Sequence, residues 1–191
     1  MNLFKKYINE KREILSKISK LEIKCENILS VVKPAILNGG KILTCGNGGS
    51  SCDAQHLTAE LLIRLKPSNN RASIPSIFLG MDFATITAAG NDYGFKNIFS
   101  SPLKGIGCKN DILICFSTSG NSKNIIEALK EAKRKKIISI SFLGKRGGIA
   151  KYYSDYSINV PSNNVMRIQE FHLFLVHYFA ERIEQIYKNK K

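Results

Sequence analysis

The sequence predicts an α/β protein, an open three-layer α/β/α sandwich around a central parallel sheet. Three observations lead there. Short, continuous apolar runs alternate with stretches of helical periodicity, as expected of strands buried on both faces. Two of these runs end in loops of Gly, Ser, Thr and Asn that lead straight into a helix, the repeating unit of a parallel sheet. The 191 residues, 43% hydrophobic with five prolines, suffice for one packed domain and are far from a disordered composition.

The elements follow in order. Residues 3–38 place apolar side chains at helical spacing (Leu3, Ile8, Ile14, Leu15, Ile18, Leu21, Ile23, Leu29, Val32, Ile36) and stop at "NGG", giving one long or two shorter helices. "KILTC" (41–45) is a buried strand, followed by a glycine loop and a helix from about Ser50 to Leu65. "RASIPSIFL" is a weaker strand, "DFATITAAG" a helix, and "NDYGFKNIF" turns into another short helix. "DILICF" (111–116) is a strand, "STSGNS" its loop, and "KNIIEALKEAKRKK" the next helix. "IISISFL" (137–143) and "DYSINV" (155–160) complete the sheet, and a final helix spans about Asn163 to Tyr187. No low-complexity linker interrupts the chain. It is expected to be a single domain over 1–191, with a helical segment (1–40) leading into the sandwich (41–191).

The formal net charge of +14 raises the question of nucleic acid. The lysines are scattered, however, apart from "KRKK" (133–136) and the tail "YKNKK". The first of these reads as the solvated end of a helix, where cations suit the dipole. No recognition helix, zinc finger or aromatic-studded basic strand accompanies them. Attraction of anionic metabolites is expected, and no nucleic-acid or membrane partner. No apolar run approaches the roughly 18–20 residues of a membrane span. The first residues lack the apolar core of a secretory leader, so a cytoplasmic location is expected. Five cysteines form no CxxC pair. Reduced thiols are expected, with Cys45 and Cys115 as small buried hydrophobes at strand ends.

"CGNGGSS" lacks the GxGxxG spacing of a dinucleotide loop and the GK[ST] of a Walker loop, and Asp53 falls too early to be a ribose-binding acid. It leaves a turn in which Gly48 and Gly49 let backbone approach a ligand, Asn47 offers an amide, and Ser50 or Ser51 can cap the helix. It is equally a plain strand–turn–helix junction. "STSGNS" says more. Ser117, Thr118, Ser119 and Ser122 set four hydroxyls around Gly120 and Asn121 at a helix start, more than a cap needs, and hydroxyls with free amides make a phosphate cradle. His56 and Glu60 stand at i and i+4, which suits two metal ligands, a ligand and a base, or a surface hydrogen bond. In the last helix Gln169 and His177 lie about 80° apart around the axis, near one face, whereas His172 lies well round from His177 and is read as structural. A carboxylate with an imidazole is what proton transfer beside a carbonyl requires. Asn91 and Asp92 in "GNDYGF" are candidates for sugar hydroxyls, or turn formers.

Together "CGNGGSSCDAQHLTAEL", "GNDYGF", "STSGNS", "GKRGG" and "RIQEFHLFLVH" resemble the phosphoheptose isomerases of the sugar isomerase (SIS) domain superfamily, in order and over nearly the whole chain. The resemblance implies a homotetramer whose N-terminal helices pack between subunits and whose active sites are shared. It implies conversion of sedoheptulose 7-phosphate to D-glycero-D-manno-heptose 7-phosphate through an enediol(ate), towards nucleotide-activated heptose for bacterial surface glycans. By position, Ser117, Thr118, Ser119 and Ser122 would hold the phosphate. Asn47, Gly48, Gly49, Glu60, Asn91, Asp92 and Gln169 would contact substrate. His56, Glu60, Gln169 and His177 would match the family's zinc ligands, and Glu60 with His177 its acid/base pair. A non-catalytic regulator that binds a replication initiator protein shares this fold and glycine loop. It lacks equivalents of Glu60 and His177 and carries an arginine for the second serine of "STSGNS", so the resemblance favours the enzyme. Enzymes of the superfamily that act on amino-sugar phosphates share less outside the loops.

Overall fold

The computed structural model describes residues 2–188. Of the basic tail "YKNKK", only Tyr187 and Lys188 fall within them. Two helices, α1 (Leu3–Ile18) and α2 (Glu22–Leu37), are joined by a single 3₁₀ turn at Ser19–Leu21, so the N-terminal segment is two helices rather than one. There follow β1 (Ile42–Gly46), α3 (Gly49–Leu62), β2 (Ser76–Phe78), α4 (Phe83–Tyr93), α5 (Ser100–Ile106), β3 (Ile112–Ser117) and α6 (Lys123–Arg134). The chain closes with β4 (Ile138–Leu143), α7 (Ala150–Tyr153), β5 (Tyr156–Asn159) and α8 (Val165–Lys188).

The five strands form one parallel sheet in the order β2-β1-β3-β4-β5. Alternate residues of each strand face opposite layers. Ile42, Ile112, Ile114, Phe116, Ile140, Phe142 and Ile158 pack with α1, α2, α3 and α8. Their neighbours Leu43, Cys45, Leu113, Cys115 and Leu143 pack with α5 and α6. Both layers are apolar, which is why the strands read as unbroken hydrophobic runs. Cys45 and Cys115 face each other in register across β1 and β3, buried and free, with sulfurs 3.4 Å apart. Burial pushes the Cys115 thiol well above its ordinary pKa, in keeping with its role as packing.

From β1 the chain moves outward to β2, then returns past β1 to place β3 on its other side. The loops after β1 and β3 therefore diverge at the carboxyl edge of the sheet, the crevice in which ligands of open α/β sheets bind.

Several expectations need correction. α4 runs on through Asn91 and Asp92 to Tyr93, so "GND" is the last helical turn and not a loop. The short helix expected over "NDYGFKNIF" is a 3₁₀ turn at Phe95–Asn97, and the α-helix begins later, at Ser100. The four-residue α7 follows from no sequence period, and β2 is only three residues long. α3 ends at Leu62 rather than Leu65, because the Leu65 amide turns away to the Glu184 carboxylate, 2.9 Å distant. The "KRKK" run is the solvated end of α6, with Lys133 and Arg134 in its last turn.

Candidate active site

At the end of β1 the backbone turns through Gly48, whose φ of +54° favours glycine, and α3 starts at Gly49. Ser50 and Ser51 thus lie inside the first turn and do not cap it. Gly48 occupies the cap position, and the Ser51 hydroxyl instead accepts from Gln55 at 3.0 Å. Asn47 exchanges two amide hydrogen bonds with Asn124, which is 2% exposed in the first turn of α6. This ties the two strand-end loops together and leaves Asn47 one N–H and one lone pair for a ligand.

The loop after β3 is shaped by its own hydroxyls. Ser117 is buried and accepts from the Gly120 amide at 3.1 Å, and Ser119 accepts from the Asn121 amide at 3.2 Å. Ser122 stands at the cap position of α6, but its hydroxyl makes no capping bond. Gly120 has φ +65°, and a Cβ there would sit 2.0 Å from the Gly147 carbonyl. The "GKRGG" loop after β4 is packed directly on this one, with the Ile149 amide bonded to Asn121 Oδ1 and the Ala150 amide to the Gly120 carbonyl. Between them opens a cavity of about 410 Å³ lined by Thr118, Ser119, Asn121, Lys145, Arg146, Ser162 and Asn163, among others. Hydroxyls and two cations facing one cavity suit a phosphate.

The third group stands on α3 and α8, which pack side by side. His56 Nε2 lies 3.0 Å from Glu60 Oε1 and 3.2 Å from His177 Nε2. The His56 and Glu60 side chains are 38% and 20% exposed, open enough for a substrate to reach. One ring nitrogen cannot serve a carboxylate and a second imidazole nitrogen equally with a single proton. Three such atoms, all within 4.8 Å of one another, are a set that could hold a cation. Tetrahedral zinc with N and O ligands at about 2.0–2.2 Å would set neighbouring ligand atoms about 3.3–3.6 Å apart, slightly more than the 3.0 and 3.2 Å from His56 Nε2 to its two partners. The residues fit the ion. Gln169, the remaining member of the expected metal set, packs its amide against Gly49 at the start of α3, where a Cβ would lie 2.6 Å from Nε2.

The SIS domain family model matches residues 6–144. A phosphoheptose isomerase of Helicobacter pylori is 40% identical over 190 residues, 99% of this chain and 98% of the relative. A phosphoheptose isomerase of a Nitratiruptor species is 45% identical over 151 residues, 79% of this chain and 80% of its own. The solved structure of a phosphoheptose isomerase from Francisella tularensis superposes with a TM-score of 0.91 at 34% identity, covering 97% of this chain and all of the other. The chain belongs to the phosphoheptose isomerase family.

The fold brings together His56, Glu60 and His177, and separately Thr118 and Ser119, within one phosphoheptose isomerase chain. It does not bring Asn91 and Asp92 to them. These two are exposed at the end of α4 and bond to each other at 2.9 Å, and α4 packs through Ile86 on the α5–α6 layer. Four residues at the site escaped sequence reasoning. Lys145 and Arg146 line the cavity, and their signal was two adjacent cations framed by glycines at the end of a third strand. Asn124 is visible only through its partner Asn47. Asp53, one turn before His56, is 7% exposed with Oδ2 unpartnered. Burial raises its pKa from 3.8 to about 6, partly opposed by His56. His172 is fully buried between Phe116 and Phe142 and bonds the Leu143 carbonyl at 3.4 Å, the structural role expected of it.

Proposed function

We propose that the protein is an aldose–ketose isomerase that converts sedoheptulose 7-phosphate to D-glycero-D-manno-heptose 7-phosphate, an early step towards activated heptose for bacterial surface glycans. The observation that carries this reading is the convergence of Glu60, His56 and His177 in a chain whose strand-end loops also build a hydroxyl- and cation-lined cavity. Proton-transfer groups and a phosphate handle on one chain are what a sugar-phosphate isomerase requires.

The chemistry follows from the substrate. Glu60 takes the proton from C1 while His177 gives one to the C2 carbonyl oxygen, which leaves an enediol. Protonated Glu60 then returns its proton to C2, and His177 recovers one from the C1 hydroxyl as the aldehyde forms. Thr118 and Ser119, with Ser117 and Ser122 shaping the loop, hold the phosphate beside Lys145 and Arg146. Asn47, Gly48, Gly49 and Gln169 border the sugar. A zinc ion held by His56, Glu60 and His177, with Gln169 nearby, would supply Lewis acidity that polarises a sugar oxygen.

The working unit in this reading is a cytoplasmic homotetramer. Met81, Phe83, Tyr93 and Phe95 are between 66% and 83% exposed around α4, and Leu3 and Phe4 are exposed on α1. Apolar surface of this extent is normally covered by a partner. A neighbouring subunit would bring its own Asn91 and Asp92 to this site. No helix among the described residues is long and apolar enough to cross a membrane.

The test is direct. The purified protein is incubated with sedoheptulose 7-phosphate, with and without a chelator, and the aldose phosphate is followed by NMR or coupled kinase assay. Appearance of D-glycero-D-manno-heptose 7-phosphate is expected. Substrate unchanged after metal reconstitution would refute the assignment.

A further inference from the structure

A second joint between α3 and α8 lies beyond the reactive cluster. Arg71, in the connection from α3 to β2, pairs with Glu184 of α8, and both side chains are only 3% exposed. Its Nε and Nη2 each reach Glu184 Oε1 at 2.8 Å. The same guanidinium donates from Nη2 to the main-chain carbonyl of Glu60 at 2.7 Å and from Nη1 to that of Leu61 at 2.9 Å. Both carbonyls belong to the last turn of α3, where the helix itself has no further amides to offer them. Glu184 is saturated in turn by the Leu65 amide and the Asn69 side chain, each at 2.9 Å. Burial works against its charge, but these hydrogen bonds and Arg71 outweigh it and hold the carboxyl below its ordinary pKa.

Glu184 lies seven residues beyond His177, about two turns along and on the same face of α8. Beside their apolar packing, two hydrogen-bonded joints therefore tie this face of α8 to α3. One joint is the accessible His56–His177 contact, whose groups the reaction needs free. The other is buried, fully satisfied and chemically idle, and it grips the backbone of Glu60 itself.

We propose that Arg71 and Glu184 are positioning residues for the isomerisation, clamping the residue that carries the base to the helix that carries the acid. This rests on the assignment of Glu60 and His177 made above. A fork that serves a carboxylate and three carbonyls at once, that of Ala72 included, is a task for arginine, which a lysine cannot reproduce.

Arg71→Lys and Glu184→Gln test it in the full-length protein, with kcat and KM for sedoheptulose 7-phosphate measured below the melting temperature of each variant. The expected result is a fall in kcat of about 10- to 100-fold, the scale of a misplacement near 1 Å, with KM within about threefold. The phosphate loop lies on other elements and should be undisturbed. The double variant Arg71→Met/Glu184→Leu removes both charges together, so neither is left buried and unpaired. It also strips the Glu60 carbonyl and the Leu65 amide of these partners, so it should melt below the parent and, assayed below its own melting temperature, remain slow. Parental kcat in Arg71→Lys or in the double variant, or a change confined to KM, overturns the proposal. Where one variant fails to fold, the remaining ones decide. Glu60→Gln is the control. If it turns over normally, the acid/base assignment fails. If it is inactive while Arg71→Lys is fully active, only the clamp fails.

Discussion

Asn47 and Asn124 hold the two strand-end loops together by a reciprocal pair of amide hydrogen bonds, 2.9 and 2.8 Å long. One stands in the loop after β1 and the other in the helix that follows the hydroxyl loop. Asn124→Ala should leave the half-buried Asn47 amide unpaired. The expected cost is about 1–3 kcal/mol in stability, with a several-fold rise in KM. Urea unfolding and steady-state kinetics on one preparation check both numbers, and an unchanged KM would remove Asn47 from the binding surface.

Glu60→Gln and His177→Gln each keep the shape of the site and remove a proton carrier. Each should lower kcat by about 10²–10⁴-fold, the usual contribution of general acid or base catalysis. Size-exclusion chromatography and circular dichroism should match the parent. Turnover near normal in either would remove that residue from the proton-transfer pair.

Gly120→Ala and Ser119→Ala should differ in kind. The added methyl at Gly120 meets the Gly147 carbonyl at 2.0 Å in a backbone conformation that disfavours alanine, so the "GKRGG" loop must move. A KM increase of at least about tenfold is expected, together with lower stability. Ser119→Ala removes one phosphate contact shared by ground and transition states, and should raise KM with kcat nearly constant. A loss confined to kcat would contradict a phosphate role for this loop.

Gly49→Ala offers a way to disturb Gln169 without mutating it. The new methyl would fall 2.6 Å from the Gln169 amide, the end of a flexible side chain that can swing aside, and the helical backbone at Gly49 accepts alanine. Stability should hold to within about 1 kcal/mol. Zinc affinity, measured by competition with a chromogenic chelator, should fall if Gln169 is a ligand and stay constant if it only lines the sugar site.

His172 makes stability pH-dependent. Burial lowers its pKa from 6.5 to about 4. A depressed folded-state pKa means that the imidazole favours folding above pH 6.5, and that this contribution is lost as pH falls towards 4. The loss amounts to about 3 kcal/mol by pH 4. Asp53, with its pKa raised, acts in the opposite sense, so each variant must be compared with the parent at the same pH. His172→Phe should gain melting temperature relative to the parent progressively between pH 6.5 and 4. A constant difference across that range would show that folding leaves the pKa of His172 unshifted.

The central strands were legible because strands buried on both faces leave unbroken apolar runs. The hydroxyl loop was legible because four small polar side chains in six residues exceed what a helix start requires. Much of the rest depends on contacts distant in sequence. Nothing local to "GND" reveals that α4 continues through it. His177 reaches His56 only because α3 and α8 pack together, and Arg71 reaches Glu60 only through the curl of the connection after α3. Asp53 reads as an ordinary helical acid until its burial is known.

The loops proposed to face the phosphate and the groups proposed to transfer protons are carried by different stretches of chain: the ends of β3 and β4 for the former, the adjoining faces of α3 and α8 for the latter. Selection can therefore act on the two independently. A descendant could lose its reactivity through a change or two on a helix face and keep its grip on a phosphorylated sugar, becoming a sensor. Another could refashion the helix face for a new transformation while retaining the same handle. The scaffold divides inheritance between recognition and reactivity, so either can change without unfolding the other.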